Sequence, residues 1–336
     1  MLRLAVVGAG GWGFNHARTF DQLADCSLQI VVDKDDKALA RVTKSLRGLK
    51  TEKDYRPVVR RKDLEAVVVA TSAESHYEIA KAALMAGKHV LVEKPLVLRV
   101  EEAEELIQLA EANDLVLMVG HLLLYHPAVR KLKEYVDSGE LGQIYYMYSS
   151  RVNLGKVRTT ENALWSFAPH DISVMLFLTD MMPNLVSATG QSYLNPPVQD
   201  VTFFTLHFPN NIIGHGQVSW LDPHKVRKIT VVGSKKMIVF DDMESSEKIK
   251  LYDKGVDAPV SYETYGDYLT LRIGDIITPK IHMSEPLKNE CQHFLNCVQR
   301  GEKPLSDGHD GLQVLRVLEA TQRSLDSRGK PVELKS

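Results

Sequence analysis

Five short runs in the first 120 residues are apolar at successive positions: LRLAVVGA (2–9), LQIVVD (28–33), AVVVAT (66–71), HVLVEKP (89–95) and LVLMVG (115–120). A strand that is apolar on both faces is covered on both faces, as in a parallel sheet. Segments with helical spacing alternate with these runs, at 13–24, 36–46, 75–86 and 101–113. In EEAEELIQLAEAN (101–113) the apolar residues recur three and four apart with charges between them. Strand and helix alternating at these lengths predict βαβ units.

After residue 120 the pattern changes. Helices are predicted over 127–138, with Pro127 in the first turn, over 163–179, and near 286–300 and 308–327, with Ser284 and Asp307 as caps of the last two. Strand-like runs fall at 144–154, 184–193, 201–208, 212–220 and 227–240. Alternation is common in them, and the turn signals PNN (209–211) and GSK (233–235) punctuate the region, as in a mostly antiparallel sheet. Residues 241–284 are weakly patterned. The predicted division is 1–120 and 121–336. The second part is an α+β domain with a large open-faced sheet, and its closing helices are free to pack back on the first.

A chain of 336 residues is long for one core, which agrees with two domains. Its 41 basic and 43 acidic residues are interspersed, so no field of one sign points to nucleic acid or an anionic membrane. Cys26, Cys291 and Cys297 are odd in number and form no CxxC, which argues against a disulfide framework and a zinc ribbon. His121 and His126 are five apart with Pro127 next, not the i,i+4 of a helical metal pair, and no metal is expected. No apolar run reaches membrane-spanning length, and the apolar N-terminal run is too short for a signal peptide. The expected location is the cytoplasm.

GAGGWG (8–13) is a G-x-G-x-x-G that follows the first strand and opens the first helix. Gly8 makes the tight turn, Gly10 lets a pyrophosphate approach the backbone, and Gly13 lets the helix lie close to the sheet. The helix start, with Gly11 and Trp12, offers N–H groups and a partial positive charge to phosphates. Asp33 ends the second run, 20 residues after Gly13, where a carboxylate accepts from the ribose hydroxyls and repels a 2′-phosphate. That favours NAD over NADP, with Lys34 the one contrary neighbour. The fold expected is a doubly wound Rossmann sheet followed by the α+β domain.

Lys94 follows the fourth run in Glu93-Lys94-Pro95, where an open parallel sheet presents its ligands. A lysine there can steady a developing alkoxide. GAGGWG, the T-x-x-x-x-H of Thr71–His76 with Ser72 inside it, and EKP together resemble the glucose–fructose oxidoreductase/inositol dehydrogenase family over nearly the whole chain. The resemblance implies that Lys94 is catalytic and touches the substrate hydroxyl. It also implies a frequently cis Lys–Pro peptide and a proton-accepting histidine from the second domain. His76 and Glu93 are implied at the cofactor, and the open sheet face as a dimer or tetramer interface. GHLLLYHPAVRKLKEYVDSGELGQIYY (120–146), NLGKVRTTENALWSFAPHDIS (153–173) and the segment 285–324 resemble the sugar-nucleotide 3-dehydrogenases of that family, which oxidise the 3-hydroxyl of a UDP-linked N-acetyl sugar. A free sugar or an inositol is the alternative substrate.

His170 in WSFAPHDIS (165–173) is the expected proton acceptor. The family often has an aspartate four residues earlier; here it is Ser166, which leaves open what orients the ring. Asp171, about 100° away on a helix, need not face the same pocket. No G-x-S-x-G surrounds Ser166, so Ser166, His170 and Asp171 are not a hydrolase triad. Arg151 and Asn153 share a strand face with Tyr145, Met147 and Ser149, and Arg151 is a candidate for a diphosphate. His121, Tyr125 and Trp165 are further substrate-side candidates. Tyr145, Tyr146, Tyr148, Phe203 and Phe204 are expected in sheet packing or a subunit contact. A sensor that binds NAD without catalysis is the reading of another kind. Ser166 argues for it, and the joint presence of Lys94 and His170 argues against it.

Overall fold

The computed structural model describes residues 1–334 except 47, 156, 160 and 258–269. It divides into two compact units, one of 1–126 with 284–316 and one of 127–283 with 317–336.

The first unit alternates β1 (Leu2–Val7), α1 (Gly11–Asp21), β2 (Cys26–Val32), α2 (Asp36–Ser45), β3 (Lys50–Glu52), α3 (Tyr55–Val59), β4 (Ala66–Val69), α4 (His76–Met85), β5 (His89–Glu93), α5 (Val100–Ala112) and β6 (Leu117–Gly120). The strands form a parallel sheet in the order β3-β2-β1-β4-β5-β6. Its middle is buried throughout: Leu4, Ala5, Val6, Val67, Val68, Val90, Leu91 and Val92 have no exposed surface. The successive apolar positions therefore mark strands covered from both sides. Sequence pattern missed β3 and α3. KTE is a short polar strand at the sheet edge, and YRPVV is a five-residue helix with an internal proline.

The second unit opens with α6 (Pro127–Asp137), β7 (Ile144–Val152) and α7 (Ala163–Thr179). Seven strands follow: β8 (Leu185–Gln191), β9 (Val201–His207), β10 (Ile213–Ser219), β11 (Val226–Gly233), β12 (Met237–Asp241), β13 (Ile249–Asp257) and β14 (Thr270–Ile277). With β15 (Val332–Glu333) they build a nine-stranded sheet, antiparallel except where β10 runs parallel to β7. The weakly patterned stretch thus holds β13 and β14. On β7, Met147, Ser149 and Arg151 are buried on the side that α7 covers, while Tyr146 and Tyr148 are exposed and stacked, ring centroids 6.3 Å apart. The face expected to look into a site is therefore a packed face, and Tyr145 at the strand's start is exposed instead of sharing it.

Two helices close the chain, α8 (Pro286–Arg300) and α9 (Gly308–Asp326). Asp307 accepts the Asp310 N–H at 3.0 Å while Asp310 accepts that of Asp307 at 2.9 Å, a reciprocal cap. Ser284 does not cap α8. Glu285 holds the cap position and Pro286 the first turn, and the Ser284 hydroxyl accepts from the Asn289 side chain at 2.7 Å. Among the described residues no helix is long and apolar enough to cross a membrane.

Candidate active site

The strand order reverses direction between β1 and β4, so a crevice forms at their carboxyl ends. The glycines there divide into two kinds. Gly8 has φ +104°, and a Cβ on it would lie 2.5 Å from the Ala70 carbonyl oxygen. A Cβ on Gly13 would lie 2.0 Å from the Gly8 carbonyl oxygen. These two are required by the protein's own packing. Among the described residues, a Cβ on Gly10 or Gly11 would meet nothing within 4 Å beyond its own chain neighbours and the helix backbone. Nothing in the chain demands glycine there, but a pyrophosphate pressed against the backbone does. Gly10 is the N-cap of α1 and no side chain caps that end, so the first-turn N–H groups are left for an anion. The loop fits a dinucleotide on these grounds. Trp12 beside it is 42% exposed.

Asp33 is fixed at the same loop. Its Oδ2 accepts the Ala9 N–H at 2.5 Å and its Oδ1 accepts the Asp35 N–H at 2.9 Å. Lys34 is exposed. Sequence reasoning missed Arg41 of α2, whose Nη2 donates to the carbonyls of Ala9 (2.9 Å) and Gly10 (2.7 Å), with the guanidinium 4.4 Å from the centroid of the Phe14 ring. The only signal was a cation eight residues after Asp33.

At the end of β5, Lys94 is half-buried and its peptide to Pro95 is cis. Glu93 beside it is buried. Its Oε1 accepts from His16 Nε2 at 2.8 Å and its Oε2 from the Lys94 backbone N–H at 3.2 Å. Burial pushes this carboxyl up, but the His16 bond and the charges of His16 and Lys94 outweigh it and hold the group below the usual range. Glu93 therefore ties the lysine's strand to α1 from inside, and the cofactor contact expected of it is not what its oxygens make. His76 is likewise internal. Its Nδ1 lies 2.8 Å from the Pro95 carbonyl and its Nε2 3.2 Å from that of Thr71. Burial lowers its pKa, and the contacts to the Pro95 and Thr71 carbonyls oppose that shift. Thr71 is partly exposed, its hydroxyl accepting from Ser75 at 2.8 Å, and Ser72 is exposed.

Two expected substrate-side residues are core residues of the first unit. His121 is 1% exposed, and burial, aided by the Lys94 charge, pushes its pKa down to about 4. Tyr125 is buried with its hydroxyl 2.8 Å from Ser306 Oγ. Both follow β6 directly, where the chain turns inward against α8.

In the second unit, Asn162 caps α7 by accepting the Trp165 N–H at 3.1 Å. Pro169 inside α7 has no N–H to return to the carbonyl of Trp165. His170 follows, half-buried, with Nδ1 shielded from solvent. Asp171 is buried and grips Arg151 with both oxygens, Nε to Oδ2 at 2.8 Å and Nη2 to Oδ1 at 3.0 Å. Arg151 is thus spent inside the fold and is not presented to a diphosphate. Ser166 is buried. The Trp165 indole and the Asn162 amide both donate to Gln322 Oε1, at 3.1 and 2.9 Å, which ties Trp165 to α9. Asn153, just past β7, is half-buried and donates its backbone N–H to Ser219 at 3.2 Å.

Residues 2–121 match the Gfo/Idh/MocA oxidoreductase family, NAD-binding Rossmann fold, and residues 129–239 match that family's C-terminal domain. The chain belongs to this family. This Gfo/Idh/MocA protein is therefore an NAD-binding oxidoreductase, which agrees with the open glycine loop and sets the sensor reading aside. It is 24% identical to a myo-inositol 2-dehydrogenase of Thermotoga maritima over 97% of each chain. The solved UDP-N-acetylglucosamine 3-dehydrogenase of Acidithiobacillus ferrooxidans superposes with TM-score 0.82 at 24% identity, covering 97% of this chain and 98% of that one. An oxidoreductase structure from Magnetospirillum magnetotacticum reaches 31% identity and TM-score 0.79, covering 95% of this chain and 99% of the other.

Proposed function

We propose that this protein is a dehydrogenase of a sugar secondary hydroxyl, the C3 hydroxyl of a UDP-linked N-acetyl sugar being the preferred substrate. The observation that carries the chemistry is Lys94, anchored through Glu93 at the carboxyl end of β5 in the unit that bears the open glycine loop. The sugar-nucleotide substrate is supported by the stretches 120–146 and 153–173 and by the UDP-N-acetylglucosamine 3-dehydrogenase among the relatives.

Lys94 donates a hydrogen bond to the substrate oxygen and stabilises its negative charge as the proton leaves. His170 takes that proton. Bound NAD supplies a hydride acceptor. Asp33 holds the ribose end and the α1 N-terminus holds the phosphates. The protein acts in the cytoplasm as a homodimer or homotetramer, associating through the exposed sheet face that carries Tyr146, Tyr148, Phe203 and Ile213.

The test is NADH formation with a panel of UDP-sugars, inositols and free sugars. Turnover with UDP-N-acetylglucosamine and its epimers is expected. The inositol relative at the same 24% identity makes inositols the second reading, and turnover confined to them would replace the first.

A further inference from the structure

We propose that Arg41 is a second specificity-determining residue of the dinucleotide site. It supplies positive charge that favours a 2′-phosphate, and the Asp33 carboxylate works against it to enforce NAD over NADP.

Asp33 and Arg41 grip the same residue from two sides. Asp33 accepts the Ala9 N–H, and Arg41 donates to the Ala9 carbonyl. Both therefore stand at the ribose end of the glycine loop. The neighbouring acids are engaged elsewhere: Asp35 caps α2 through the Lys37 N–H at 2.9 Å, and Asp36 pairs with Lys53 at 2.7 Å, while the Lys34 side chain is exposed. Arg41 has no carboxylate partner among the described residues. Its charge is met by two neutral carbonyls and an aromatic face, and its side chain is exposed. A guanidinium in that condition keeps unused donors in the fork that suits phosphate. Two structural ties, the carbonyls and the Phe14 ring, hold it at the loop, so little side-chain freedom is lost when an anion arrives. What keeps a 2′-phosphate out is the Asp33 carboxylate, placed there by two backbone N–H groups.

The test is calorimetric binding of ADP and 2′,5′-ADP, with NAD and NADP as the full ligands, to the whole protein. The wild type is expected to prefer ADP. Asp33→Ser, which keeps an acceptor for the Ala9 N–H, is expected to strengthen 2′,5′-ADP binding by about tenfold or more. Adding Arg41→Met, which keeps the stem over Phe14, is expected to remove most of that gain and to weaken 2′,5′-ADP by a clearly larger factor than ADP. The gain in Asp33→Ser should also shrink with added salt, as a charge interaction does. The proposal is overturned if Asp33→Ser/Arg41→Met binds 2′,5′-ADP as tightly as Asp33→Ser. It is equally overturned if Arg41→Met weakens ADP and 2′,5′-ADP by the same factor, which would make Arg41 a loop brace only. Thermal melts of each variant show that it is folded before binding is compared.

Discussion

Arg151 of β7 and Asp171 of α7 form a two-pronged buried ion pair, and Asp171 is the residue next to His170. The pair fixes the turn of α7 that carries the histidine, which is where a carboxylate at position 166 is missing. Removing one member leaves the other charged and buried. Asp171→Ala is expected to lower stability by about 3–5 kcal/mol, whereas Arg151→Met/Asp171→Leu together should recover most of it. Urea unfolding curves check this, and a double variant as unstable as the single one would refute the pairing as the cause.

Lys94→Ala and His170→Ala are each expected to reduce turnover by at least about 100-fold. NAD affinity should change little, because the glycine loop and Asp33 are untouched. Steady-state rates beside equilibrium NAD binding separate the two effects. Near-normal turnover in either variant would remove that residue from the reaction.

The two kinds of glycine predict opposite outcomes. Gly10→Ala meets nothing within 4 Å beyond its chain neighbours among the described residues, so the protein should melt near the wild-type temperature while NAD binding falls by at least about tenfold. Gly13→Ala drives a Cβ to 2.0 Å from the Gly8 carbonyl oxygen and should lower the melting temperature itself. Thermal melts with and without NAD distinguish them. Normal NAD binding by Gly10→Ala would mean that the pyrophosphate lies elsewhere.

His121 gives the fold an acid sensitivity. Its folded pKa of about 4 lies below the ordinary 6.5, so between those values the unfolded chain holds a proton that the folded one does not. Its contribution is complete above pH 6.5 and is lost as pH falls through about 4, roughly 3 kcal/mol in all. Between pH 7 and pH 5 the wild type should lose about 2 kcal/mol more than His121→Gln. Equal losses in urea unfolding at the two pH values would show that the ring is not held neutral.

The sequence by itself determined the parallel sheet, the glycine loop with its acid, and the position of Lys94. These are local matters: apolar residues at successive positions need cover on both faces, Gly8 and Gly13 answer to backbone contacts, and a strand's end lies where its apolar run stops. It determined less where a segment had no periodicity, as in β13 and β14, or was too short and polar to show one, as in β3. Only the tertiary structure decided where polar side chains spend their bonds. Arg151 read as a diphosphate ligand until Asp171, 20 residues on, claimed it. His76, His121 and Tyr125 read as ligand contacts until Pro95, the core and Ser306 enclosed them. Arg41 carried no motif at all, and it gains its place at the loop from packing against α1. The physical reason is the same in each case. Periodicity records which face of an element is buried, but a hydrogen bond between distant residues depends on which elements that burial brings together.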